Sequence, residues 1–405
     1  MNPILVRFTK TFTLLFFLGA CFLLSACWDR REVNDTALVL SASIDKAKGK
    51  NIELTTQILI PRAVSSGQQG GGGGGGGSPE VTTRSAIGEN MTDAASKLQL
   101  KLSRKIFWGH CATYIIGKNL AKAGGIHKQI DFLLRHPEPR ERAYLYVSDG
   151  KAEEFLKIMP TKTAYIEPYE GEALRKLTEM RIGTIVTVKD FEQMLTGDAE
   201  AAILPLIGKV PSIAGQKEDM ITSITGSAIF KKDKMVGQIA TDVTRGLMWL
   251  RNEIEVTSVT VSPKKGDTLT LDPIREKTKL LPTIKNGKWN ILAKITSEGT
   301  IVQNGSNLDI MNPNITKRIE KALEKDIKQR INLSLTQVKK GMNVDVFGFA
   351  DAFHRKYPKE WKKEKDHWDE ILTQVDVKID IKTKVLRPGL TTTPAGLKEE
   401  EVEKK

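Results

Sequence analysis

The sequence predicts a mixed α+β protein of several domains, with mainly antiparallel or mixed sheets and packed helices. Three observations predict it. Ile315, Ile319, Leu323, Ile327, Ile331, Leu335 and Val338 form one apolar stripe, which implies a long helix over 314–338. Val375, Val377, Ile379 and Ile381 alternate with Asp376, Lys378, Asp380 and Lys382, the pattern of a C-terminal strand with one wet face under that helix. Asn286-Gly287 joins the apolar segments Leu280–Ile284 and Trp289–Thr300 as a two-residue hairpin, because both residues accept positive φ. With 405 residues, 40% hydrophobic and 27% charged, the chain is long enough for two or three true cores.

The elements follow in chain order. Leu38–Leu40 and Ile52–Ile60 read as strands. Residues 65–80, with eight glycines from Gly70 to Gly77, read as a flexible loop that has no apolar surface to bury. The tract matches a dinucleotide fingerprint only as any glycine run does, and Ser78-Pro79 stands where the required helix would start. Met91, Ala95, Leu98 and Leu102 imply a helix capped by Thr92. Cys111–Ile116 reads as a strand, and Ile126, Ile130, Leu133 and Leu134 as a helix stopped by Pro137. A strand at Ala143–Val147 and short helices near 152–158, 170–180 and 189–195 complete this half.

Gly197, Pro205, Gly208, Pro211 and Gly215 suggest a boundary. The expected organisation is an N-terminal domain 27–205, a middle domain 206–290, a C-terminal α/β domain 291–388 and a frayed tail 389–405. Past the boundary, Ile221–Phe230 and Lys234–Ile239 suggest a hairpin, and Asp242 a cap for a helix through Leu250. Ile254–Val261, Thr268–Leu271 and Lys277–Ile284 read as strands, the last confined to an edge by Pro282.

The N-terminus is the most specific functional signal. Arg7 and Lys10 precede the largely apolar run Leu14–Cys27, which ends in Leu24-Ser25-Ala26-Cys27 and turns polar at Asp29. About 14 apolar residues are short for a membrane span, which needs about 20. Leu-Ser-Ala-Cys resembles a bacterial lipobox, which implies residues 1–26 as a signal peptide, cleavage after Ala26 and a diacylglyceryl anchor on Cys27. An ordinary secretory signal and an uncleaved helical anchor are the rival readings. Arg30, Arg31 and the adjacent Trp28 are candidates for contact with headgroups or a membrane partner, or they merely mark the mature N-terminus.

Net charge is +13, and +11 once Arg7 and Lys10 leave with the signal. Such a body suits anionic headgroups, although most of these charges interleave with 49 acids as solvated faces. No basic motif interleaved with aromatics indicates nucleic acid. Of three cysteines, Cys111 is left alone in the mature chain, so no intrachain disulfide is expected and a buried inert thiol is. The five histidines include no zinc-helix spacing, no Gly-x-Ser-x-Gly elbow or phosphate loop occurs, and Asp366-His367-Trp368-Asp369-Glu370 has poor ligand geometry. No catalytic residue, metal or cofactor is expected.

Several segments together resemble the Ger(x)C family of spore germination lipoproteins, the C subunits of nutrient germinant receptors. They are Cys27–Val33, Lys101–His110, Asp131–Arg135, Gly226–Gly237, Thr244–Leu250, Asp345–Phe349, His354–Trp361 and Trp368. The resemblance implies a three-domain mixed α/β fold, two integral-membrane partner subunits and a place at the inner spore membrane. Ala350 departs from the glycine expected after Gly348-Phe349. Trp108, Trp249, Trp361 and Trp368 read as core rather than partner-binding residues. The alternative functions are an extracytoplasmic solute-binding lipoprotein of a transporter, with two parallel-sheet lobes, and an extracytoplasmic hydrolase with convergent titratable groups.

Overall fold

The computed structural model describes residues 35–60, 80–158, 174–175, 183–213, 220–254, 258–264, 266–387, 389, 391 and 394–403. Two mixed sheets organise them. The larger has strand order β3-β2-β1-β5-β6-β7-β8-β9, with β4 also on β1. Its strands are β1 (Thr36–Lys46), β2 (Ile52–Ile60), β3 (Glu80–Gly88), β4 (Lys105–Phe107), β5 (Thr113–Gly117), β6 (Tyr144–Ser148), β7 (Ala201–Pro211), β8 (Met220–Lys231) and β9 (Lys234–Ala240). The run β1-β5-β6-β7 is parallel, and antiparallel pairs flank it on both sides. Parallel neighbours need crossovers, supplied by α1 (Met91–Gln99), α2 (Lys118–Ala123), α3 (His127–Arg135), α4 (Glu153–Leu156) and α5 (Val188–Thr196). The near-continuous apolar reading of Thr113–Gly117 and of Leu145–Val147 reflects this two-sided burial.

The second sheet has order β10-β11-β12-β13: β10 (Val259–Val261), β11 (Leu269–Lys285), β12 (Lys288–Asn304) and β13 (Asp376–Arg387). Asn286 (φ 49°) and Gly287 (φ 72°) make the expected hairpin turn, with Lys285 paired to Lys288. β12 and β13 are parallel, so the chain between them crosses over through the expected long helix. That helix, α7, is α-helical over Pro313–Ser334 and continues as a π-helix over Leu335–Met342. All seven stripe residues are buried. α6 (Thr241–Arg251), α8 (Phe349–Lys356), α9 (Pro358–Glu364) and α10 (Trp368–Gln374) complete this half.

The two halves share strands. Ala202, Leu204, Ala228 and Phe230 join the core under α3 and α5, whereas Ala201, Ile203, Ile229 and Ile239 join the core around α6, α7 and the second sheet. Alternate residues of β7 and β8 thus point into two cores. A third, smaller core holds Ile115, Tyr146, Phe155, Leu156 and Ile207.

Several sequence expectations are corrected. β7 runs through the residue 205/206 boundary, and β7–β9 continue the first sheet rather than opening a separate sheet. Pro205 is tolerated because β6 pairs with β7 only at Leu206 and Ile207, so no ladder donor is required at 205 on that side. β3 was not anticipated. Asn90, not Thr92, caps α1 through Asp93 N, and Asp242 lies in the first turn of α6 without capping it. Thr268–Leu271 and Lys277–Ile284 merge into β11. The expected tail is pinned at Glu403, which bridges to Leu308 and forms ion pairs with Lys264 and Arg318. Residues 1–34, the glycine tract 65–79 and most of the helix expected over 170–180 lie outside the described residues.

Candidate functional site

Cys27, Trp28, Arg30 and Arg31 also lie outside the described residues, which resume at Asp35, one residue before β1. β1 is the hub of the first sheet, pairing with β2, β4 and β5. Its far end carries Asp45, which is buried and caps α4 by accepting Ala152 N at 2.8 Å and Glu153 N at 2.9 Å. A Cβ on Gly117 would meet Asp45 Oδ1 at 2.0 Å, so glycine is required there. Burial holds the Asp45 carboxyl above its ordinary value despite those two donors.

The sequence segments singled out in the C-terminal half converge on one seam. Asp345 is fully buried and accepts backbone N–H groups from Phe347 (3.2 Å), Phe349 (3.2 Å) and Ala350 (2.7 Å), so it organises the first turn of α8. Burial raises its pKa to about 6, against the lowering effect of the three donors. Gly348, at φ 83°, lets the chain turn into that helix, and Ala350 is accommodated with its N–H bonded. Arg251, at the end of α6, donates from Nη1 to Val346 O at 2.8 Å and pairs with Glu253 at 2.7 Å. Behind the seam, Trp289 contacts Phe353, Trp361 and Trp368 at ring-centroid distances of 4.6, 6.5 and 6.0 Å.

A cleft of about 530 Å³ opens where this seam meets α5 and the turn before β7. Asp190, Asp198, Glu253, Asp345, Asp351 and Arg251 line it. All of these except Asp351 are already committed. Asp190 closes a capping box with Thr187, Glu253 holds Arg251, and Asp198 Oδ2 lies 2.6 Å from His354 Nδ1. Asp351 is raised above its ordinary value by burial and then by the neighbouring Asp198 carboxylate. These contacts tie α5, α6 and α8 together. They do not provide a nucleophile beside a base. Among the described residues no three His, Cys, Asp or Glu side chains have metal-holding geometry.

The resemblance-carrying tryptophans are packing residues. Trp108, Trp249, Trp361 and Trp368 are all buried. Cys111 is fully buried, and its thiol is pushed up to about 12, so it is unreactive. Sequence reasoning missed Arg251, whose acceptor Val346 lies in a segment that only the fold brings near, and the role of Asp345, whose donors Phe347, Phe349 and Ala350 are local but form no standard capping spacing. Among the described residues no helix is long and apolar enough to cross a membrane.

Two family models match. Residues 29–209 match "Spore germination protein N-terminal domain", and residues 225–389 match "Spore germination B3/ GerAC like, C-terminal". Spore germination protein KC of Bacillus subtilis (strain 168) is 30% identical over 386 residues, covering 92% of this chain and 94% of that protein. Spore germination protein B3 of the same organism is 24% identical, covering 95% and 99%. The crystal structure of the GerBC protein superposes with a TM-score of 0.55 at 20% identity, over 85% of this chain and 97% of that one, and shows the same fold.

Proposed function

The chain belongs to the GerAC-like family of spore germination proteins, and from that premise we propose that it is the lipid-anchored, non-catalytic C subunit of a nutrient germinant receptor. The single observation that carries this reading is the match of both halves, in order, to the two germination models. Cleavage after Ala26 and diacylglyceryl attachment at Cys27 would hang the body from the outer face of the inner spore membrane. Seven residues, and so eight Cα–Cα steps, separate Cys27 from Asp35, and the tether reaches at most about 28 Å at full extension. Within that radius the body is held at high effective concentration beside two integral-membrane receptor subunits, on which it docks and which it keeps signal-competent. Trp28, Arg30 and Arg31 then sit at headgroup level.

The non-catalytic reading is supported by the cleft, where Asp190, Asp198, Glu253 and Asp345 are spent on caps and ion pairs. The experiment is Cys27→Ala. Membrane fractions and nutrient-triggered germination should both be lost, and mass spectrometry of the parent should find lipid on Cys27. Normal germination by a protein recovered from the aqueous phase would overturn the reading.

A further inference from the structure

Among the described residues, helices cover the second sheet on one face. α7 lies against the face that carries Ile291, Ala293, Ile295, Thr383 and Val385. On the opposite face Lys277, Lys279, Lys294, Lys378, Lys382 and Lys384 are all exposed. The register makes them neighbours. Lys279 is directly opposite Lys294, which is itself opposite Asp380 on its other side; Leu292 is opposite Lys378, Thr296 opposite both Lys277 and Lys382, and Glu298 opposite Lys384. Lys279 opposite Lys294 is a like-charge pair that opposes pairing, a local cost that Asp380 beside Lys294 offsets in part. Among the described residues none of the six lysines has an ion-pair partner. The acids on this face are Asp272, which accepts from Ser258, Glu298, taken by Arg275 at 3.3 Å, and Asp376 and Asp380.

At one end of the same three strands the character changes. β11, β12 and β13 each slip register within two rows, at Pro273/Arg275, around Ile301, and at Gly299/Thr300. The unpaired residues at these bulges are Ile274, Val302 and Leu386, exposed by 55%, 53% and 40%. Bulges re-aim side chains, and here three aliphatic ones reach solvent beside the lysines. A plain acidic partner needs the lysines only. Aliphatic side chains next to a cationic face match a lipid surface, where apolar groups enter the acyl boundary and cations meet headgroups.

We infer that the open face of the second sheet is a peripheral binding surface for anionic lipid headgroups, with Ile274, Val302 and Leu386 as its shallow insertion points. The surface is independent of the thioether at Cys27, and it fixes which side of the body faces the bilayer. The test uses the mature chain from residue 27 with Cys27→Ala, and with Val302→Cys carrying a polarity-sensitive dye; Cys111 is buried and unlabelled. Vesicles of phosphatidylcholine with phosphatidylglycerol should shift the dye to the blue, and pure phosphatidylcholine should not. Each lysine near an anionic surface contributes about fivefold, so Lys277→Thr, Lys279→Thr and Lys294→Thr together should weaken the response about a hundredfold, as should added salt. Unchanged circular dichroism melts establish that this variant is folded. No shift on anionic vesicles overturns the inference, and so does an equal shift on neutral ones or one indifferent to the lysines. A lysine-dependent shift with polyglutamate but not with vesicles assigns the face to an acidic protein instead, and also overturns it.

Discussion

Gly246 of α6 packs against the backbone of Arg330 in α7 so closely that a Cβ would meet the Arg330 carbonyl oxygen at 2.1 Å. The crossing is reinforced by Ser334 Oγ, which donates to Val243 O, and by Arg330 Nη1, which bonds Asp242 at 2.8 Å. Gly246→Ala should therefore cost about 2 kcal/mol or more, since neither helix backbone can retreat without opening the core. Denaturant unfolding checks it, and a midpoint equal to the parent's would show that the crossing has slack.

Asp345 holds three backbone donors that no other group reaches. Asp345→Ala should lower stability by about 1–3 kcal/mol at neutral pH, from buried N–H groups left without an acceptor. The folded pKa, about 6, lies above the ordinary 3.8, so the folded chain binds the proton more tightly. Stability from this group therefore falls as pH rises from 3.8 to about 6 and is level beyond. The gap between parent and variant should narrow across that window in thermal melts.

Glu276 faces the core side of β11, opposite Ser297, whose hydroxyl donates to Oε1 at 2.8 Å; Oε2 is buried without a partner. Burial raises its pKa to about 8, with Glu298 adding to the effect. The unfolded chain ionises near 4.5, so stability declines as pH rises from 4.5 to about 8. Glu276→Gln keeps the Ser297 bond and removes the titration. It should gain about 1–2 kcal/mol near pH 7, discounted for partial exposure, and nothing below pH 4.5. A gain that is the same at every pH would contradict the account.

Periodic and turn signals made much of this fold legible. The Ile315–Val338 stripe, the Val375–Ile381 alternation and Asn286-Gly287 depend on neighbours in sequence, and each forms as read. β3 escaped because Val81-Thr82-Thr83-Arg84-Ser85 is polar, pairs only with β2 and follows a glycine tract that masks its start. The expected boundary falls inside β7 because Pro205 and Gly208 outweigh an otherwise unbroken apolar run from Ala201 to Ile207. The seam of Arg251, Asp345 and Asp198 was not legible, since its members lie tens of residues apart; Asp345 alone has local partners, at i+2, i+4 and i+5. The lysine face was half visible. Lys378, Lys382 and Lys384 alternate along β13, but the opposition of Lys279 to Lys294 requires the register of the hairpin.

Trp368 separates packing from polarity in the aromatic core. It contacts Trp289, Phe353 and Trp361 at ring-centroid distances of 6.0, 5.8 and 5.1 Å, yet its indole Nε1 is buried with no acceptor. Trp368→Ala should cost about 3–5 kcal/mol, because the cavity lies between three rings already fixed by their neighbours. Trp368→Phe loses area but also removes a buried donor whose desolvation costs about 1–3 kcal/mol. The two terms oppose each other, so the phenylalanine variant should lie within about 1.5 kcal/mol of the parent in chemical denaturation. If Trp368 instead served a docking partner, alanine would leave the isolated chain as stable as before and impair only germination, the reverse of the order expected from its burial.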